Sequence, residues 1–253
     1  MSDALGALRS SVDRLTDLVL TLDDAGVAQQ AYPTEWSIAD VLSHLGSGAE
    51  IWMRRIDDSL SGQQTPDDVA PSVWARWDAK TQRQQTDDGV ALDRAFVESL
   101  VTLPEGDRAR FRLDLGPLDL GWDDFLALRL NEQVLHEWDV AVALDPTATL
   151  GGDGVEHVVD NLALVAGWTA KAVGTPRVVT VETTDPDRAF TLDIGAEAVT
   201  FTSGAAPAVT TLTMPAEAFV RLVYGRLDPD HTPSTASGDV EELDQLRAVF
   251  PGP

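Results

Sequence analysis

WSIADVLSHL, residues 36–45, decides how the amino-terminal half of the chain folds. Ser37 with Asp40 three residues on is a capping-box pattern, and the apolar residues that follow recur at helical spacing through roughly Ile56. Inside that stripe sits His44, one of four histidines in the whole chain. A second stretch, NEQVLHEWD at 131–139, places His136 one helical turn after Glu132. Either these two histidines are ordinary packed residues of two helices, or they are halves of one site split across the sequence.

Working outward from that helix, the apolar period stays helical up to about residue 175. Leu5, Leu8, Val12, Leu15, Leu18, Val19 and Leu22 form one stripe, a first helix. Pro71 suits the first turn of a third helical region that carries Val73, Trp74 and Trp77 early and Ala91, Ala95, Val97 and Leu100 late. Asp87-Asp88-Gly89 is its expected point of interruption. A fourth helix is expected over about Asp123 to Leu144, and a fifth over about Val155 to Val173, with GGDG at 151–154 as a linker before it.

After Pro176 the period becomes two. RVVTVETTD, AFTLDI, AVTFTSG and AVTTLTM are short, rich in β-branched residues and separated by turn signals such as Asp185-Pro186 and Ser203-Gly204. Two helices close the chain, PAEAFVRLVYGRLD, opened by Pro215, and DVEELDQLRAVF. The expected architecture is α plus α+β: a helical bundle over 1–150, then a linking helix and a small α+β domain over 151–253.

The charge narrows the partners. In 253 residues, 42 acids stand against 18 bases, a net charge of −24. Such a field repels a phosphate backbone or an anionic membrane surface, so nucleic-acid and membrane binding are not expected. A small acidic substrate would need a local positive group. No leader pattern and no long apolar run is present, which makes a cytoplasmic protein the expectation. The chain has no cysteine, which excludes disulfides, thiolate metal ligands and a cysteine nucleophile. Lys80 and Lys171 are its two lysines, a bias that fits a GC-rich genome.

Three His and carboxylate ligands that leave one position open are what a catalytic zinc or similar divalent ion needs. The fourth helix offers Glu132 and His136. His44 is the natural third, because a bundle turns the inner faces of both helices toward one core. The competing reading is a packed histidine on each helix and a surface Glu-His contact worth about 0.2–0.5 kcal/mol. Gly46 and Gly48 follow His44, each costing a helix about 1 kcal/mol relative to alanine, and close approach of a ligand or a helix would account for that. A cation would also compensate two histidines and a glutamate buried together. Asp139 shares the face of Glu132 and His136, either as a group orienting a ligand or as a surface carboxylate.

TEWSIADVLSHLGSGAEIW and LNEQVLHEWDVAVAL resemble the two signatures of the mycothiol-dependent maleylpyruvate isomerase family, within the DinB-like superfamily of metal-binding four-helix bundles. TLTMPAEAFVRLVYGRLDP is similar to that family's small carboxy-terminal α+β domain, likened to sterol-carrier folds. The resemblance implies a divalent metal, usually zinc, on His44, Glu132 and His136. It also implies mycothiol, a small thiol of actinobacteria, as cofactor or co-substrate. An arginine that reaches the active site falls on Arg226, with Arg221 the weaker candidate; Arg226 could hold a substrate carboxylate or merely complement a helix C-terminus. Thiolate addition to an activated alkene, rotation and elimination would isomerise it, and attack at another electrophile would be S-transfer. With no cysteine of its own, the chain must import its sulfur.

Other residues are not expected to act. His157 reads as part of a solvated helix face, although as a fourth ligand it would favour a non-catalytic binding protein with structural metal. His231 reads as a loop residue, Trp74 and Trp77 as core, and Trp36 as a staple into the bundle. A further rival is a thiol-independent metallohydrolase with Asp139 or Glu137 as base. Oligomeric state and substrate are open.

Overall fold

The computed structural model describes residues 3–114, 119–208 and 210–252. The chain forms two compact units, 1–148 and 149–253. The first contains α1 (Asp3–Val19), α2 (Asp24–Val27), α3 (Ile38–Leu60), α4 (Val69–Asp78), α5 (Gln82–Thr102), α6 (Glu105–Arg110), the two-residue strands β1 (Leu113–Asp114) and β2 (Asp119–Leu120), and α7 (Trp122–Leu144). The long helices α1, α3, α5 and α7 make the bundle, with α3 packed on α5 and α7, and α1 on the same two. Leu5, Leu8, Val12, Leu15 and Val19 are the buried stripe of α1, as their spacing requires.

The capping box at the start of α3 is complete. Ser37 Oγ accepts from the Asp40 N–H at 3.2 Å, and Asp40 Oδ2 accepts from the Ser37 N–H at 2.8 Å. The third helical region breaks elsewhere than expected. Its interruption falls at 79–81, where Thr81 and Gln84 form a second capping box that starts α5, and Asp87-Asp88-Gly89 runs unbroken through the helix. Gly89 is there for packing: a Cβ on it would lie 2.5 Å from the Leu42 carbonyl oxygen of α3. Trp77 is core, whereas Trp74 is 52% exposed, a correction to its assignment as core: Val73 and Trp77 take the buried side of this short helix.

Gly46 faces Gly89 across the same crossing, and a Cβ on Gly46 would come within 2.4 Å of the Trp77 ring and 2.8 Å of the Gly89 Cα. Helix approach, then, is what the glycine after His44 permits. Gly48 has nothing within 4 Å of its would-be Cβ. The two sites should therefore respond oppositely to the same change. Gly46→Ala overpacks the α3–α5 contact and is expected to destabilise by about 1–3 kcal/mol. Gly48→Ala should be neutral or stabilising by up to about 1 kcal/mol through helix propensity. Urea unfolding of both variants checks the pair, and equal shifts would contradict it.

The second unit begins with α8 (Gly152–Val158), a 3₁₀ turn (Val159–Asn161) and α9 (Leu162–Thr169). The single helix expected over Val155–Val173 is thus two short ones. GGDG is not a linker: the Gly151 carbonyl accepts from the Gly154 and Val155 N–H groups, so the glycines form the first turn of α8. The strands follow as expected, β3 (Arg177–Thr184), β4 (Arg188–Ile194), β5 (Val199–Ser203) and β6 (Thr210–Pro215), then α10 (Ala216–Val223) and α11 (Val240–Val249). Sheet order is β5-β4-β3-β6, antiparallel except for the parallel pair β3–β6. Alternate residues Val179, Val181, Phe190, Leu192, Leu212 and Met214 are buried. Phe219 of α10 packs on Phe190 and Phe201, with ring centroids 5.1 and 5.9 Å apart. Among the described residues no helix is long and apolar enough to cross a membrane.

Candidate metal centre

Two helices of the bundle bring the centre together. The Ser37 cap fixes where α3 starts, and His44 lies two turns in, on the side that faces α7. On α7 the i,i+4 spacing stacks Glu132 beneath His136. His44 Nε2 lies 3.2 Å from Glu132 Oε2, and His136 Nε2 lies 3.6 Å from the same oxygen. The two imidazole centroids are 4.8 Å apart, and one ligand atom from each of the three residues falls within 4.8 Å of the others. A tetrahedral ion with ligands at about 2.0–2.1 Å spaces its donors roughly 3.4 Å apart, so both separations would admit a shared ion, and the shorter one is also a hydrogen-bond distance. Two imidazoles and one carboxylate are also the donor set that suits zinc. The residues fit a divalent cation.

The surroundings orient the donors. Asp139 is wholly buried, and its Oδ2 lies 2.9 Å from His136 Nδ1. That contact makes Nδ1 the proton-bearing nitrogen and turns the Nε2 lone pair toward Glu132 and His44. Burial pushes the His136 imidazole down, but Asp139 and Glu132 outweigh it and raise its pKa above the ordinary histidine value. At Glu132 burial acts upward, and hydrogen bonds and charge from His136 and His44 hold the carboxyl well below the usual carboxylate range. The centre is open on one side: the side chains of His44 and Glu132 are 44% and 53% exposed, that of His136 only 9%.

The other expected residues fall differently. Glu137 points to α1, where it accepts from Arg14 Nε at 2.7 Å and Ser11 Oγ at 2.5 Å. Those bonds commit it to helix packing and remove it as a base. Asp139 is likewise committed to His136. Arg226 lies in the second unit, buried, its Nη1 donating to the Tyr224 carbonyl at 3.1 Å. Arg221 grips both oxygens of Glu217 at 2.8 Å and the His231 carbonyl at 2.9 Å, a pairing that explains its burial without any ligand. His231 pairs with Asp228, and His157 lies in the last turn of α8.

Trp36 is the residue that sequence reasoning undervalued. It packs on the bundle core, as a staple should, and its ring also meets both His44 and His136. The sequence signal was its place directly before the cap of a histidine-bearing helix.

Comparison with known proteins places the chain in a family. The family profile described as the mycothiol maleylpyruvate isomerase N-terminal domain matches residues 8–141, just over half of the chain and all three donors. Among solved structures, the chain is similar to the mycothiol-dependent maleylpyruvate isomerase and to a histidine-to-alanine mutant of it. Each has a TM-score of 0.66 and 14% identity, over 94% of this chain and 93% of the other. That likeness extends the common fold over both units. No curated protein matches the chain in sequence. With the profile spanning the bundle that holds His44, Glu132 and His136, the chain belongs to the mycothiol-dependent maleylpyruvate isomerase family.

Proposed function

We propose that the chain is a metal-dependent enzyme that uses mycothiol to isomerise a small electrophilic metabolite bearing an activated double bond. His44, Glu132 and His136 hold a divalent ion, zinc by the nature of the donors. The observation that supports this most directly is the spacing of 3.2 and 3.6 Å between both imidazole Nε2 atoms and one Glu132 oxygen, on the exposed side of the bundle. When bound, the ion supplies a position at which a thiol loses its proton near neutrality, below its free value of about 8.5.

The chain's own residues do the rest. Asp139 fixes the tautomer and plane of His136. Glu132 contributes the negative charge that offsets part of the cation's. The exposure of His44 and Glu132 leaves room for the thiol, which the cysteine-free chain must take from solution. Arg226 is the group we assign to a substrate carboxylate, since a net charge of −24 gives such a substrate no long-range attraction. The thiolate would add to one alkene carbon as the π pair moves onto the activating group, the resulting single bond would rotate, and return of the pair would expel the thiolate and leave the trans alkene. Nothing is oxidised or reduced.

The test is to load the full chain with Co²⁺ and titrate mycothiol. A sulfur-to-cobalt absorption band is expected as the thiol is added, in the wild type and equally in Arg226→Ala, which should instead raise KM for a carboxylated substrate. Metal binding with no thiol-dependent band would reject the thiol chemistry. A band without isomerisation, but with a stable thiol adduct, would make the reaction S-transfer.

A further inference from the structure

His136 has a carboxylate behind it; His44 does not. Among the described residues nothing takes the second nitrogen of the His44 ring, which is half exposed and whose one hydrogen bond in the cluster is to Glu132. A bare imidazole on a helix surface keeps its side-chain rotation, and ordering it weakens any ion it helps to bind. Something else must hold the ring.

The segment between α2 and α3 brings Trp36 to it. The Trp36 and His44 ring centroids are 5.2 Å apart, tilted at 45°, and the Trp36 and His136 centroids are 5.7 Å apart, nearly parallel at 21°. The indole thus lies against both imidazoles at the separations favoured by aromatic pairs. Its own position is fixed from several sides. The Trp36 carbonyl accepts from the Ala31 N–H at 2.9 Å, the Ile38 N–H donates to Gln29 at 2.9 Å, and the Trp36 N–H donates to Pro33 at 3.0 Å. The Tyr32 N–H donates to the Asp139 carbonyl at 3.0 Å, which ties the segment to α7 beside the residue that orients His136. The ring also packs on the core cluster of Leu15, Val19, Ile38, Val41 and Leu45.

We infer that Trp36 is a positioning residue for the metal centre: its indole does for His44 what Asp139 does for His136. The inference rests on the metal reading above. The indole restricts the imidazole planes to orientations that turn both Nε2 atoms toward Glu132. It also covers one flank of the centre with apolar surface, leaving approach to the exposed flank of His44 and Glu132. An imidazole that shares a cation gains positive character, and an indole face attracts that charge.

Competition with a chelator for Zn²⁺ and Co²⁺, on the full-length chain, tests it. Trp36→Ala should weaken metal binding about 10- to 100-fold, the range seen when an orienting partner of a ligand histidine is lost. Trp36→Phe, which keeps an aromatic face, should recover most of that affinity. Leu22→Ala controls for packing, since Leu22 lies on the same core cluster; it should lower the melting temperature of the metal-free protein and leave metal affinity unchanged. In a His44→Ala background only the Trp36 contact with His136 remains, so adding Trp36→Ala should cost clearly less affinity than it does in the wild type. Wild-type affinity in Trp36→Ala, or an equal loss in Leu22→Ala, overturns the inference while the metal reading stands. If the wild type binds neither ion, the metal reading itself fails and takes this inference with it.

Discussion

His136→Ala is expected to lose bound metal outright and thiol-dependent activity with it. The argument is one of position. His136 is the most enclosed of the three donors, sits one turn above Glu132, and has its far nitrogen held by Asp139. Its removal deletes one donor and takes from the wholly buried Asp139 carboxylate the hydrogen bond that it shares with His136 Nδ1. Asp139→Asn should be milder, weakening metal affinity roughly 10- to 100-fold, because the ligand stays and only its support changes. Glu137→Gln is the control: one residue from His136 but bonded to Arg14 and Ser11 of α1, it should cost stability and spare the metal. The expected order of metal loss is therefore His136→Ala, then Asp139→Asn, then Glu137→Gln, read by metal content after gel filtration. Full metal content in His136→Ala would end the assignment. The pH dependence has a definite sign. Asp139 and Glu132 let the metal-free His136 keep a second proton to higher pH than a free imidazole, and an ion competes with that proton. Apparent affinity should thus fall as pH is lowered through that range, and in Asp139→Asn the fall should begin at lower pH.

The meeting of Glu132 and His136 on α7 was legible because an i,i+4 pair is a local fact: helix geometry alone stacks them. The start of α3 was legible for the same reason, since Ser37 and Asp40 satisfy each other's backbone within one turn. His44 needed more. Its meeting with Glu132 is a tertiary contact across 88 positions, and only the inward faces of bundle helices made it foreseeable. What stayed hidden has no local signature. Gly89 looks like a helix breaker until Leu42 is seen against it, and the real break at 79–81 depends on Thr81 reaching Gln84. Trp36 reads as a staple because the sequence shows its cap and hides the two rings beside it. The short hairpin of β1 and β2 and the small helices α2 and α6 are too brief for any period to declare itself.

The ion pair between Asp93 and Arg129 was hidden in the same way, and it carries the largest stability effect expected in the first unit. Both residues are buried, Arg129 Nη2 lies 2.5 Å from Asp93 Oδ1, and the guanidinium also donates to Gln133 Oε1 at 3.0 Å. Burial pushes the Asp93 carboxyl up, against the pull of Arg129. Among the described residues Arg129 Nε and Gln133 Nε2 have no hydrogen-bond partner, so the network is only partly satisfied. Its members span α5 and α7, and Gln133 stands one turn before the His136 position on α7. Asp93→Ala would leave an uncompensated guanidinium in the bundle interior, a loss of about 3–5 kcal/mol. The pair need not be stabilising to make its breakage costly. Replacing both partners with apolar residues, Asp93→Leu with Arg129→Met, removes the charge and its desolvation together, and should recover much of the loss. Chemical unfolding of the single and double variants decides between the two views. If Asp93→Ala costs less than about 1 kcal/mol, water must reach the guanidinium and the site is not dry. If the double variant is as unstable as the single, the pair holds α5 to α7 by its hydrogen bonds, and apolar packing cannot take its place.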